Sequence, residues 1–201
     1  MQKILVWDWP VRLGHWLMAG GFILAWLTGD SETFRLVHVV AGATVLAVAS
    51  FRLPWGFIGS RYARFVDFAR GPTALKTYFG QLIRLEAPHH VGHNPAGGWA
   101  IMLLLASGIL TGLAGWAIYN DIGGHLLEEL HEGLAAAMLT VVCVHLIGVL
   151  SGSLLHGENL VRTMITGQKL GAPEQAIPSA RPVAAMLLIV WVLAAGWWVA
   201  N

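Results

Sequence analysis

The chain has 201 residues, 56% of them hydrophobic and only 11% charged, with a formal net charge of +1. A water-soluble domain carries about a quarter charged residues, so this composition excludes one and requires an integral membrane protein. The small net charge says nothing about nucleic acid, because the basic residues sort by membrane side, and no nucleic-acid partner is expected; the single cysteine, Cys143, excludes an internal disulfide and reads as a small buried hydrophobe.

In chain order, residues 1–12 form a short polar lead without a cleavable signal pattern. The first membrane span covers residues 13–29, with His15 near its start. A tight polar connection containing Arg35 leads to a second span at 36–57, which opens with His38. Residues 59–92 are a long basic loop, in which Thr73–Leu85 has the apolar spacing of an interfacial amphipathic helix entered through Pro72. His93-Asn94-Pro95 has the form of a helix start, with Asn94 as cap and Pro95 in the first position. The third span follows at 97–119, a short turn occupies 120–129, and the fourth span covers 130–152. A polar stretch then precedes a fifth span at 182–200, which holds no ionisable residue. The expected fold class is therefore an all-α membrane protein, with four spans as a core and a fifth C-terminal helix outside it.

Eleven of the twelve Lys and Arg residues fall on one side of a five-span arrangement, and only Arg35 falls on the other. The positive-inside rule makes the crowded side cytoplasmic. The N-terminus is then cytoplasmic and the C-terminus periplasmic, in a bacterial inner membrane.

The fourth span carries two histidines, His131 and His145, fourteen residues apart. At about 100° and 1.5 Å per residue, both imidazoles leave one helix face, roughly 21 Å apart along the axis. Ionisable groups inside a span are costly and mark functional sites, and neutral imidazole is a haem-iron ligand. Matching depths pairs His15 with His145 near the cytoplasmic surface, and His38 with His131 near the outer surface. That arrangement fits two stacked bis-histidine haems. A single zinc or iron site would need ligands converging at one level. No CxxCH is present, so the haems are non-covalent and b-type. Anionic propionates favour arginine, which makes Arg35 the outer candidate and Arg12 and Arg61 the inner ones. Gly14, Gly42 and Gly148 either admit a flat macrocycle or serve helix packing.

The blocks VWDWPVRLGHW, LVHVVAG with FRLPWGFIGSRYARF, GHNPAGG, and LHEG with VHLIGV and HGENLVRTMITGQK resemble the bacterial cytochrome b561 family. That family includes the b-type cytochrome subunits of nickel-iron hydrogenases and is similar to the gamma subunit of formate dehydrogenase. The resemblance covers residues 6–170. It implies a four-helix core with two haems b ligated by His15, His38, His131 and His145, carrying electrons between a periplasmic redox protein (a cytochrome c, hydrogenase or dehydrogenase) and membrane quinone. It also implies a quinone contact at Asn94 and His93, although Pro95 departs from the family pattern. Two alternatives stand beside this reading. One is a self-sufficient superoxide:quinone oxidoreductase, which a positive opening near Arg35 would favour. The other is a haem-free transporter or structural subunit. Asp30, Glu32, Asp121, Glu128 and Glu129 make the outer surface acidic, which suits docking to a basic redox protein.

Overall fold

The computed structural model describes residues 2–201. Five long helices carry the fold: α1 (Trp9–Thr28), α2 (Arg35–Ile58), α5 (Pro95–Tyr119), α6 (Gly124–His156) and α8 (Pro182–Ala200). Between them lie three short helices: α3 (Phe65–Phe68), α4 (Pro72–Ile83) and α7 (Leu160–Thr166). A two-stranded antiparallel ribbon pairs β1 (Gln2–Leu5) with β2 (Gln168–Gly171), in the register Gln2 to Gly171. The fold class expected from sequence holds, and the ribbon is an addition to it.

Four helical segments are long and apolar enough to cross a membrane, namely Glu32–Ile58, Pro95–Tyr119, Gly124–His156 and Pro182–Ala200. The first expected span falls outside that set, because Arg12, His15 and several glycines dilute its hydropathy. At 20 residues, α1 is nevertheless about 30 Å long, and it packs along α2 and α8. Helix α6 begins at Gly124, inside the stretch read above as a turn. Gly123, at φ 96°, redirects the chain, and the helix, carried on by the helix-forming run Leu126–Leu130, starts at Gly124, six residues earlier than expected.

Local contacts set the alternating direction of the helices. At one end, Trp9 N–H donates to Ala180 O at 2.9 Å, Val6 N–H to Gly167 O at 2.8 Å and Tyr62 Oη to Gln175 O at 2.8 Å. Trp99 Nε1 donates to Arg70 O at 2.9 Å. The starts of α1, α5 and α8 and the ends of α2 and α6 therefore share this end, and so do all the basic residues except Arg35. At the opposite end, the Trp116 and Trp198 rings stack at 6.2 Å, and Tyr119 Oη donates to Val199 O at 3.4 Å.

Asp8 organises the basic end. It is completely buried; its Oδ1 accepts from Val11 N–H at 2.9 Å and so caps α1. Its Oδ2 accepts from Trp55 Nε1 at 3.1 Å and from Ser60 Oγ at 2.6 Å, which ties the start of α1 to the end of α2. Helix α8 lies against the outer side of α2, where Leu188 and Val192 pack on Ala47 and Val48. Trp191 Nε1 donates to Ala47 O and Ser50 Oγ, both at 3.1 Å. Gly14 fits between these helices, where an added Cβ would lie 3.2 Å from Val48 Cγ1, so it is a packing glycine. Cys143 is exposed rather than buried, because this part of α6 turns an apolar face outward.

Candidate functional site

Helix α6 packs along α5 and α7, while α1 and α2 pack on each other and α2 also meets α5. The space between α6 and the α1–α2 pair is bridged at two levels by histidine side chains. His15 on α1 faces His145 near the basic end of α6, with ring centroids 6.5 Å apart. His38 in the first turn of α2 faces His131 with centroids 6.1 Å apart. Both pairings inferred from depth bring their two rings opposite each other.

A metal–imidazole bond is about 2 Å, so two imidazoles sharing one metal hold their centroids roughly 6 Å apart. Both pairs match that spacing. At the outer level, His38 Nδ1 lies 2.8 Å from Ala25 O and His131 Nδ1 lies 3.0 Å from Thr111 O. A carbonyl can only accept, so each Nδ1 carries the proton and each Nε2 keeps a free lone pair. Gly115 lies against His131, where a Cβ would stand 2.9 Å from Cε1. Gly42 and Gly148, one turn from His38 and His145 respectively, would place a Cβ with nothing within 4 Å. These residues fit a flat group between the paired histidines. Among the described residues, no three His, Cys, Asp or Glu side chains converge as a metal site of their own, so the single-site zinc reading has no ligand set.

The remaining candidates separate by location. Arg35 joins Glu32, Gly29, His38, Gly115, Tyr119 and His131 around a cavity of about 190 Å³, with its guanidinium 5.8 Å from the Tyr119 ring. Arg12 stands one turn before His15; it lies 4.0 Å over the Trp9 ring and donates to Ile165 O. Arg61 instead lies 5.5 Å from the Tyr62 ring, at a separate polar cavity of about 280 Å³ that Arg70, His89, His90 and His93 also line. Asn94 caps α5, its Oδ1 accepting from Gly97 N–H at 2.7 Å. His93 packs between Trp7 at 4.5 Å and Phe68 at 4.9 Å. Burial, reinforced by Arg52, Lys169, His145 and His15, pushes its pKa down to about 3 and keeps it neutral.

A polar cluster closes the basic end. Lys169 Nζ is buried, pairs with Glu158 at 3.2 Å and donates to His90 O at 2.9 Å, while His89 Nε2 lies 3.4 Å from the same carboxylate. Burial lowers the Lys169 pKa and Glu158 partly restores it. The HGEN block after α6 was the only sequence signal for this cluster; there Asn159 caps α7.

A family model described as prokaryotic cytochrome b561 matches residues 6–167. Among curated relatives, a probable Ni/Fe-hydrogenase B-type cytochrome subunit of Rhodobacter capsulatus is 23% identical, covering 83% of this chain and 81% of the relative. A protein of the same description from Rhizobium leguminosarum bv. viciae is 23% identical over 84% of this chain and 90% of its own. The probable Ni/Fe-hydrogenase 1 B-type cytochrome subunit of Escherichia coli K12 is 26% identical over 58% and 60%. No solved structure matches the chain.

Proposed function

The chain belongs to the prokaryotic cytochrome b561 family, and on that premise we propose that it holds two haems b and passes electrons between a redox protein at its acidic end and quinone at its basic end. The observation that carries this reading is the pair of facing imidazoles at each of two levels. His15 and His145 would hold one haem, His38 and His131 the other. When bound, haem would supply one-electron transfer. The chain's own part is to orient and insulate. Ala25 O and Thr111 O hold the outer imidazoles in the ligating tautomer. Helix α6 sets the separation of the two levels, about 21 Å. Arg35 stands beside the outer pair, where it can meet a propionate.

The basic end is assigned to the cytoplasm of a bacterial inner membrane by the positive-inside rule. The start of α1 is then cytoplasmic and the end of α8 periplasmic. Quinone is placed at the basic end, beside the cavity that His93 lines; Asn94, whose oxygen is committed to capping, acts there by positioning. Reduction of a quinone to quinol takes two electrons and two protons, and the polar cavity opens toward the cytoplasmic proton supply. The relatives named as hydrogenase subunits make a hydrogenase the first partner to test, with a cytochrome c as the second. Asp30, Glu32, Asp121, Glu128 and Glu129 are all exposed at the opposite end. That charge favours a basic protein surface and opposes steering of superoxide.

The test is a pyridine haemochrome assay with a reduced-minus-oxidised spectrum of protein produced with haem supplied. Two haems b per chain are expected, and His131→Ala and His145→Ala should each lose one. A wild-type protein without haem would refute the proposal. Reoxidation of the reduced protein by added quinone tests the acceptor.

A further inference from the structure

Six buried side-chain nitrogen or oxygen atoms lack a hydrogen-bond partner among the described residues: Trp7 Nε1, Arg12 Nε, His15 Nδ1, Arg52 Nη1, His93 Nδ1 and Thr111 Oγ1. Folded proteins pair nearly all such atoms, and these are not scattered. Thr111 is the residue whose carbonyl holds His131, and the other five belong to the basic end around His15. Trp7 Nε1 and the arginine nitrogens can only donate. A patch of donors without acceptors calls for a ligand that only accepts.

Arg52 is the centre of that patch. It follows His38 on α2 by fourteen residues, the interval that separates His131 from His145 on α6. It therefore leaves the His38 face of α2, roughly 21 Å deeper, at the level of His15 and His145. Its guanidinium is fixed on one side: Nη2 donates to Ala63 O at 2.6 Å, and Cζ lies 5.4 Å from the Phe65 ring and 5.8 Å from the Phe68 ring. Phe68 and Trp7 both pack on His93, which joins the two free donors into one wall. Asp8 is the nearby carboxylate, but its oxygens are taken by Val11, Trp55 and Ser60. Arg52 is thus a held cation with no hydrogen-bonded anion, a costly arrangement unless a ligand completes it.

We propose that Arg52 and Trp7 form a carboxylate-binding site that receives the propionates of the haem held by His15 and His145. This rests on the di-haem reading above and adds residues to it. It replaces Arg61, which points to another cavity, as the inner arginine. A planar guanidinium with one nitrogen anchored and another free suits a carboxylate, and the indole N–H supplies a second, uncharged donor.

The experiment uses detergent-purified holoprotein from haem-supplied cells and compares wild type, Arg52→Gln, Trp7→Phe and, as a charge control at the exposed Lys76, Lys76→Gln. Three quantities are read: haem per chain, the midpoint potential of each haem, and the resonance Raman propionate bending bands. In Arg52→Gln, the haem that His145→Ala removes should be retained roughly tenfold less well, and any that remains should have a lower potential, because a positive charge near it has gone. Trp7→Phe keeps the ring and should shift the propionate bands of the same haem alone. Lys76→Gln should match wild type. If Arg52→Gln cannot be recovered folded, Trp7→Phe decides. Wild type with two haems, and a recovered variant with unchanged occupancy, potentials and propionate bands, would overturn this proposal alone. Wild type without haem would overturn the di-haem reading beneath it.

Discussion

Asp8 offers the sharpest test of how the basic end is held. Asp8→Ala removes three hydrogen bonds at one buried point. Loss of the α1 cap costs about 1 kcal/mol. Trp55 Nε1 and Ser60 Oγ lose their acceptor, and a buried donor left unsatisfied costs about 1–3 kcal/mol. The serine hydroxyl can rotate toward another acceptor and the indole cannot, so the loss for Asp8→Ala comes to roughly 3–5 kcal/mol. Asp8→Asn keeps an oxygen for the cap but turns an N–H2 toward two donors, and should cost about 1 kcal/mol less than Asp8→Ala. The assay is equilibrium unfolding in mixed micelles, followed by far-ultraviolet circular dichroism. Asp67→Ala is the control: its pair with Arg64, at 3.0 Å, has side chains 41% and 28% exposed on the arginine and aspartate sides, so its removal should cost under about 1 kcal/mol. An Asp8→Ala protein that unfolds within about 1 kcal/mol of wild type would refute the account of Asp8 as the α1–α2 tie.

Gly115→Ala places a Cβ 2.9 Å from His131 Cε1 and 3.3 Å from Nδ1. The imidazole must then move off Thr111 O, and on the di-haem proposal the spectral signal of the His38/His131 level should shift or disappear. Gly133→Ala, with nothing within 4 Å, should leave the spectrum unchanged. His93 sets a pH dependence. Its folded pKa of about 3 lies below the ordinary 6.5, so the unfolded chain binds the proton first. Stability is complete above about pH 6.5 and falls as the pH drops toward 3, by at most about 1.4 kcal/mol per unit from this group. His93→Phe should flatten unfolding-against-pH curves in that window. Trp191→Phe loses the bonds to Ala47 O and Ser50 Oγ and should cost about 1 kcal/mol while leaving haem content unchanged, because α8 lies on the side of α2 away from the paired histidines.

The long helices and the level pairing of the histidines were legible in the sequence because each is a local property. Hydropathy over a window marks a span, and a 3.6-residue repeat sets which side chains share a face and how deep they lie. The interval from His38 to Arg52 carried the same kind of signal. Arg61, in a loop, carries no helical repeat from which a depth can be read. The start of α6 was misread for an equally local reason: glycines and acidic residues resemble a turn, yet Gly123 caps the helix that Leu126–Leu130 then propagate.

What only the tertiary structure decided is whatever depends on residues distant in the chain. The strands β1 and β2 are four residues each and carry no pattern that names a partner more than 160 residues away. Asp8 reads as one more polar residue in a lead segment, and it becomes a buried tie only when the end of α2 brings Trp55 and Ser60 to it. Cys143 looks like a core residue in an apolar run, but facing is set by which side of α6 meets α5. By itself, then, the sequence determined a membrane-spanning helical protein with histidines at two depths, because helix geometry and hydrophobicity act along the chain. Which donors converge on one point was decided by packing between helices, because burial and hydrogen-bond satisfaction are properties of the assembled space.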